Sequence, residues 1–202
     1  MNTTGTYQVL QQLRSLFQMH CLVLTIFNAT ADDIRESNGI LNSIAEWTKE
    51  KAEMIDFAYN TAGGWEGWAQ VELAARLFRD HGAHYGLNQQ NMVRREEKIY
   101  ASSDKKADIA LYRNGKPTDG AYIFELKCES SGNSGKFQAG LEDDMDKVKT
   151  DLKPDFKNAV IWVIGLDISK KDNVDTGLGA KGFKKYQPTG GFGEVRIWWW
   201  KK

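Results

Sequence analysis

The chain is short of the residues that most often announce a chemistry. It has two cysteines, Cys21 and Cys128, far apart and in no Cys-x-x-Cys pattern. That excludes a zinc site of cysteine and histidine ligands at the usual spacings, and two free thiols are the preferred reading over one disulfide. The three histidines, His20, His81 and His84, are too few and too scattered for a histidine-based ligand set. There is no excess of charge: 27 Lys and Arg stand against 27 Asp and Glu. This speaks against a protein that coats nucleic acid non-specifically, which needs a basic surplus, although a local basic surface is still allowed. No apolar run approaches the ~18 residues of a membrane helix, and there is neither an internal repeat nor a low-complexity tail. The longest apolar candidate, MHCLVLTIF at 19–27, is followed by Ala29-Thr30-Ala31 and reads like a signal core with a small-residue cleavage site, yet only Arg14 charges the segment before it. Two readings stand: a buried helix or strand of a cytoplasmic, nucleoid or nuclear protein, which is favoured, and a secretion signal.

What is present suits one globular domain with a helical extension: 202 residues, 41% hydrophobic and 27% charged. Across residues 7–60, Ile34, Ile40, Leu41, Ile44, Ala45, Trp47 and Met54 recur at spacings of three and four, which predicts two or three helices. TAGGWEG at 61–67 interrupts them, so 1–62 is expected to be a helical extension packed on a core of 63–202. A further amphipathic helix is expected from about Glu66 to Asp80, with Glu72 in the middle of its apolar stretch, an odd place for a carboxylate. Strands are expected at 92–100, 107–113 and 121–127, the last two joined by the turn NGKPTDG. A helix from about Phe137 to Leu152 follows, then NAVIWVIGL at 158–166, apolar throughout and read as a strand buried on both faces. The glycine- and lysine-rich stretch 175–193 reads as a long loop, and EVRIWWW as a last strand. Three consecutive tryptophans cannot share one strand face, so that strand is either buried on both sides or packed against the N-terminal helices or a partner chain. This order implies an α/β (α+β) domain, a mixed sheet flanked by helices.

The stretch YIFELK at 122–127 poses the functional question. In a strand, Glu125 and Lys127 share one face and Phe124 and Leu126 the other. A turn centred between Lys116 and Pro117 places Asp108 opposite Glu125 on that same face. Opposed carboxylates repel, and a hard divalent cation such as Mg²⁺ offsets the repulsion while leaving coordination positions for phosphate oxygens. Lys127 would then stand beside the metal, able to orient water or to stabilise charge developing on a phosphate. The competing reading is a solvent-side ion-pair cluster, with Glu72 facing water.

A carboxylate on one hairpin strand and Glu-x-Lys on the next, after a helix carrying an acidic residue, resembles the PD-(D/E)XK nuclease superfamily. Asp108, Glu125-Leu126-Lys127 and Glu72 stand at those positions, across roughly residues 66–165. Ala107 occupies the place of the motif's proline. The resemblance implies a restriction-endonuclease-like fold and Mg²⁺-dependent phosphodiester hydrolysis, with Mn²⁺ able to substitute. It casts Asp108, Glu125 and Glu72 as metal ligands and Lys127 as the residue assisting the attacking water. Gln138, on the helix after the motif, is a polar residue that some relatives place near the site.

Cations around the motif, Lys105, Lys106 and Lys136, and the loop lysines Lys184 and Lys185 are the expected substrate contacts. The acidic run Glu142-Asp143-Asp144 is expected to balance them elsewhere on the surface. The reading is therefore a nuclease acting on nucleic acid, DNA before RNA, of a restriction-like or toxin kind, with no membrane partner; a homodimer or an inhibitor protein is a further partner it allows. The alternative is a catalytically inert nuclease-fold module for binding or assembly.

Overall fold

A computed structural model describes residues 37–61, 64–83, 86–87, 92–102, 104–169, 171–186 and 195–202. The apolar segment 19–31, Cys21 and the end of the expected loop at 187–193 lie outside them. The elements are α1 (Ser37–Glu50), α2 (Ala52–Tyr59), α3 (Glu66–His81), β1 (Val93–Glu97), β2 (Ala107–Tyr112), β3 (Ala121–Cys128), α4 (Phe137–Thr150), β4 (Val160–Asp167), α5 (Asp172–Ala180), β5 (Lys184–Tyr186) and β6 (Arg196–Lys201). No helix among the described residues is long and apolar enough to cross a membrane.

The six strands form one mixed sheet in the order β1-β2-β3-β4-β6-β5. β1, β2 and β3 are antiparallel neighbours, β4 is parallel to β3, and β6 is antiparallel to both β4 and β5. The helix α4 makes the crossover between β3 and β4 that a parallel pair requires. Alternation along the strands sorts the core into two layers. Ile109, Leu111, Phe124, Leu126, Trp162 and Ile164 pack with α1, α2 and α3. Ala110, Tyr112, Ile123, Ile161, Val163 and Trp198 pack with α4 and α5 on the other face. β4 is thus buried on both sides, as its unbroken apolar run predicts. The tryptophans alternate too: Trp198 joins the α4 face, while Trp199 turns to the other and lies 5.6 Å from Trp162, centroid to centroid.

Two expectations are corrected. The stretch from 175 is no long loop: it contributes most of α5 and all of β5. Val174 and Leu178, four apart and buried with the α4 residues, give α5 an apolar stripe that its glycines disguise. The β2–β3 connection is two short 3₁₀ turns, Arg113–Gly115 and Pro117–Asp119, rather than one simple turn. Asn114 and Gly115 take φ of 52° and 74° there, a conformation these residue types adopt at the lowest cost. The register survives, with Ile109 paired to Phe124 and Leu111 to Tyr122.

Candidate active site

The β2–β3 ladder ends at Ile109–Phe124, so Asp108 and Glu125 come next at its open end. There the Asp108 carboxylate accepts the Leu126 N–H at 2.6 Å. Glu125, only 2% exposed, accepts the hydroxyl of buried Tyr100. Lys127 follows on the same face, paired in register with Gly165 of β4. That glycine decides how close α4 can come: a Cβ at 165 would stand 2.6 Å from Leu141 Cδ1 and 2.9 Å from Phe137 Cζ. Gly140 of α4 in turn makes room for the lysine stem, since a Cβ there would meet Lys127 Cδ and Cε at 3.3 Å.

Both flanking helices add polar groups. From α3, Glu66 Oε1 accepts from Lys127 Nζ at 3.2 Å and Oε2 from the Cys128 N–H at 3.1 Å. One turn on, buried Gln70 donates through Nε2 to Asp108 Oδ1 at 2.7 Å. Arg95 donates to Gln70 Oε1 at 2.9 Å, which fixes the amide with its NH₂ toward Asp108. From α4, buried Asp144 pairs with Lys147 at 2.7 Å and lies 3.8 Å from Lys127 Nζ. Lys147 Nζ also sits 5.1 Å above the Tyr100 ring, a cation–π arrangement.

Burial pushes the Asp108 carboxyl up to about 7; Glu66 and Asp144 add to the rise and the Leu126 N–H opposes it. Burial, reinforced by repulsion from Asp108, pushes Glu125 up to about 8. Burial works against the charge on Lys127, but Asp144, Glu66 and Asp108 outweigh it and hold the ammonium above its ordinary value. Lys147 is raised in the same way by Glu125 and Asp144, against its own burial. Leaving aside exposed Arg95, which reaches Asp108 only through Gln70, the cluster among the described residues holds four carboxylates, Glu66, Asp108, Glu125 and Asp144, against two ammonium groups, Lys127 and Lys147. The excess is two negative charges when all are ionised.

That donor set suits a hard divalent cation. Among the described residues no three His, Cys, Asp or Glu side chains enclose a metal by themselves. Mg²⁺ needs no such cage, because it keeps several waters and binds through one or two carboxylates plus phosphate oxygens.

Of the residues expected from the sequence, Asp108, Glu125 and Lys127 come together. Glu72 does not join them. It lies two residues past Gln70, turned toward the N-terminal helices, where Lys51 pairs with it at 3.0 Å and Trp47 Nε1 donates at 3.4 Å. The Lys51 bond holds its carboxyl below the usual value. Glu66, at the start of the same helix, is the α3 carboxylate at the site. Gln138 bonds Glu142 at 2.9 Å and abuts Gly177 of α5, where a Cβ would come within 2.2 Å of its amide. It serves the α4–α5 contact. Lys184 and Lys185 belong to β5, three strands from β3 and roughly 14 Å away at sheet spacing. They lie over Trp199 and Trp198, and Lys185 pairs with Asp175 at 2.9 Å. Lys106 is exposed, 3.9 Å from Glu96; Lys136 is exposed at the start of α4. Lys105 is exposed and borders a second hollow with Asp143 and Lys147. Asp144 is corrected as well, being part of the site rather than a surface counter-charge.

Sequence reasoning missed Glu66, Gln70, Tyr100, Asp144 and Lys147. A signal existed for Asp144: Phe137, Leu141 and Val148 mark the buried stripe of α4, and position 144 falls on it. The Glu66–Gln70 spacing of one turn was a weaker signal. Beside Lys127 and Glu66 opens a cleft of about 610 Å³, whose walls include Asn60, Thr61, Ser130 and Asn133. Compared with family models, curated proteins and solved structures, the chain matches none of them.

Proposed function

We propose that the chain is a divalent-cation-dependent nuclease with a restriction-endonuclease-like core, hydrolysing phosphodiester bonds of nucleic acid, DNA in preference to RNA. One observation carries the reading. Two desolvated carboxylates, Asp108 and Glu125, stand at the open end of a hairpin beside a lysine kept charged, in a cluster that is two positive charges short once its carboxylates are ionised. The order α3-β1-β2-β3-α4-β4, with β4 parallel to β3, is in keeping with it.

Asp108 and Glu125 would hold Mg²⁺ or Mn²⁺, with Glu66 in the auxiliary place expected for Glu72. When bound, the cation supplies Lewis acidity toward a phosphate oxygen and a more acidic water. The chain's own groups do the rest. Gln70 and the Leu126 N–H hold Asp108 in one orientation, and Tyr100 holds Glu125. Lys127, protonated, donates to a phosphate oxygen and stabilises the negative charge that grows as a water oxygen bonds to phosphorus and the bridging P–O bond breaks. Its protonation, maintained by Asp144 and Glu66, suits charge stabilisation rather than proton abstraction.

The test is cleavage of plasmid DNA, single-stranded DNA and total RNA with Mg²⁺ or Mn²⁺, comparing wild type with Glu125→Ala and Lys127→Ala. Cutting that needs the cation and falls by about 10²–10³ in each variant is expected, the scale for losing one charge-stabilising group. Absence of cutting on every substrate overturns the proposal.

A further inference from the structure

The cleft beside Lys127 lies past the carboxyl ends of the parallel pair β3 and β4, the place where open α/β sheets hold their ligands. Its walls are the chain that follows β3 and the end of α2. They are braced before any ligand arrives. Asn133 accepts the Ser130 N–H at 2.8 Å and donates to the Cys128 carbonyl at 2.9 Å. The Ser131 N–H reaches across to the Tyr59 carbonyl at 3.0 Å. Buried Glu129 takes the N–H groups of Ile168 and Ser169 at 2.9 and 2.7 Å, tying the chain after β3 to the chain after β4. Walls already fixed spare a ligand the cost of ordering them.

The lining has a chemical bias. Its hydroxyls and amides come from Asn60, Thr61, Ser130, Ser131 and Asn133, and among the described lining residues Lys127 is the single cation, paired with the single carboxylate, Glu66. A duplex presents phosphates on two strands, one charge per ~1.7 Å of axis, and needs rows of basic side chains. A single unpaired nucleotide presents one phosphate, a sugar and exposed base edges, which neutral donors and acceptors satisfy. A volume of about 610 Å³ falls within the range of pockets that enclose small ligands.

We infer that this cleft is a subsite for an unpaired nucleotide adjoining the scissile phosphate, so that the enzyme acts on single-stranded nucleic acid or frayed ends in preference to intact duplex. The inference rests on the nuclease reading for its phosphate at Lys127, but nucleotide binding is measurable without turnover. Gly132 offers the means: it is exposed, and a Cβ added there meets only Ser130 Oγ, at 4.0 Å. Gly132→Trp therefore fills the cleft from one wall and leaves Asp108 and Glu125, which do not line it, in place, and Thr61→Trp fills it from the other should the first variant fold poorly.

Binding of a fluorescent short oligothymidylate and of a blunt duplex is measured in EDTA, alongside melting temperature and Mn²⁺ affinity. The wild type is expected to bind the single strand more tightly. The filled variant should lose that binding by about tenfold or more, about 1.4 kcal/mol, with melting temperature and Mn²⁺ affinity unchanged. A duplex bound as tightly as the single strand, or a filled variant that binds like wild type, overturns the inference. Cleavage that persists undiminished in the filled variant overturns it too, while leaving the nuclease reading standing. Single-strand binding blocked by the variant, with no cleavage by the wild type, upholds the subsite and sinks the nuclease instead.

Discussion

Two buried ionic clusters occupy this sheet, and they are built on opposite principles. On β4 and β6, Asp167 is fully buried. Arg196 donates to it through Nε at 2.7 Å and through Nη2, and Trp198 Nε1 donates at 3.3 Å. Asp175 forms an ion pair with Arg196, Nη1 to Oδ1 2.7 Å, and accepts a hydrogen bond from Lys185 at 2.9 Å. Two carboxylates meet two cations, and a planar guanidinium supplies the paired donors. At the end of β2 and β3, Asp108 and Glu125 receive, among the described residues, only neutral donors directly, from Gln70, Leu126 and Tyr100. The two lysines nearby are engaged with Glu66 and Asp144. Charge inside the first cluster is matched within the fold; inside the second it is left short by the charge of one divalent cation. Matched burial is architecture, as is a lone buried carboxylate such as Glu129 that neutral donors satisfy; carboxylates crowded together and short of cations point to a place where a partner arrives.

The largest effect on stability should therefore come from the matched cluster. Arg196→Met takes the guanidinium away from fully buried Asp167, which costs about 3–5 kcal/mol and lowers the melting temperature by about 10 °C for a chain of this size. Lys127→Met should cost clearly less, because Glu66 keeps 31% of its side chain exposed and Asp144 retains Lys147. Urea denaturation of both variants decides it. Equal losses would erase the distinction between the clusters.

A smaller effect, of opposite sign, is expected in the site. Folding raises the carboxyls of Asp108 to about 7 and Glu125 to about 8, above their unfolded values near 4. The folded state thus binds protons more tightly, and the stability this contributes is complete below about pH 4 and lost as pH climbs through 7 and 8. Melting temperature in EDTA should fall across that window. Glu125→Gln, which still offers an oxygen to Tyr100, should flatten the fall and raise the melting temperature at pH 9 by several °C. A wild-type curve level from pH 5 to 9 would show that the two carboxylates carry no such strain.

The contrast also explains what could be read in advance. The hairpin register was legible because it depends on nearby residues: the alternation in ADIALY and YIFELK and the turn between them. The long apolar run of β4 announced burial on both faces by composition alone. Glu66 and Glu72 were not separable, since both are carboxylates of one amphipathic helix. Which face meets the sheet end depends on Trp47 and Lys51 of the preceding helices covering Glu72. Lys184 and Lys185 failed as site residues for a topological reason. β6 inserts between β4 and β5, which sends those lysines to the far edge of the sheet, and chain order does not state strand order. Asp144 hid in an acidic run of which Asp143 is exposed and Glu142 half-buried, although its spacing placed it on the buried stripe.

Calorimetric titration of the chain with Mn²⁺ and Mg²⁺ at pH 8 tests the central claim most directly, with Asp108→Asn and Glu125→Gln as the site variants and Glu72→Ala as the control. Saturable cation binding in wild type and Glu72→Ala, lost in both site variants, is the result predicted from a cluster two charges short. No binding in the wild type, or binding indifferent to Asp108 and Glu125, would contradict it and leave the cluster as one more structural feature of the sheet.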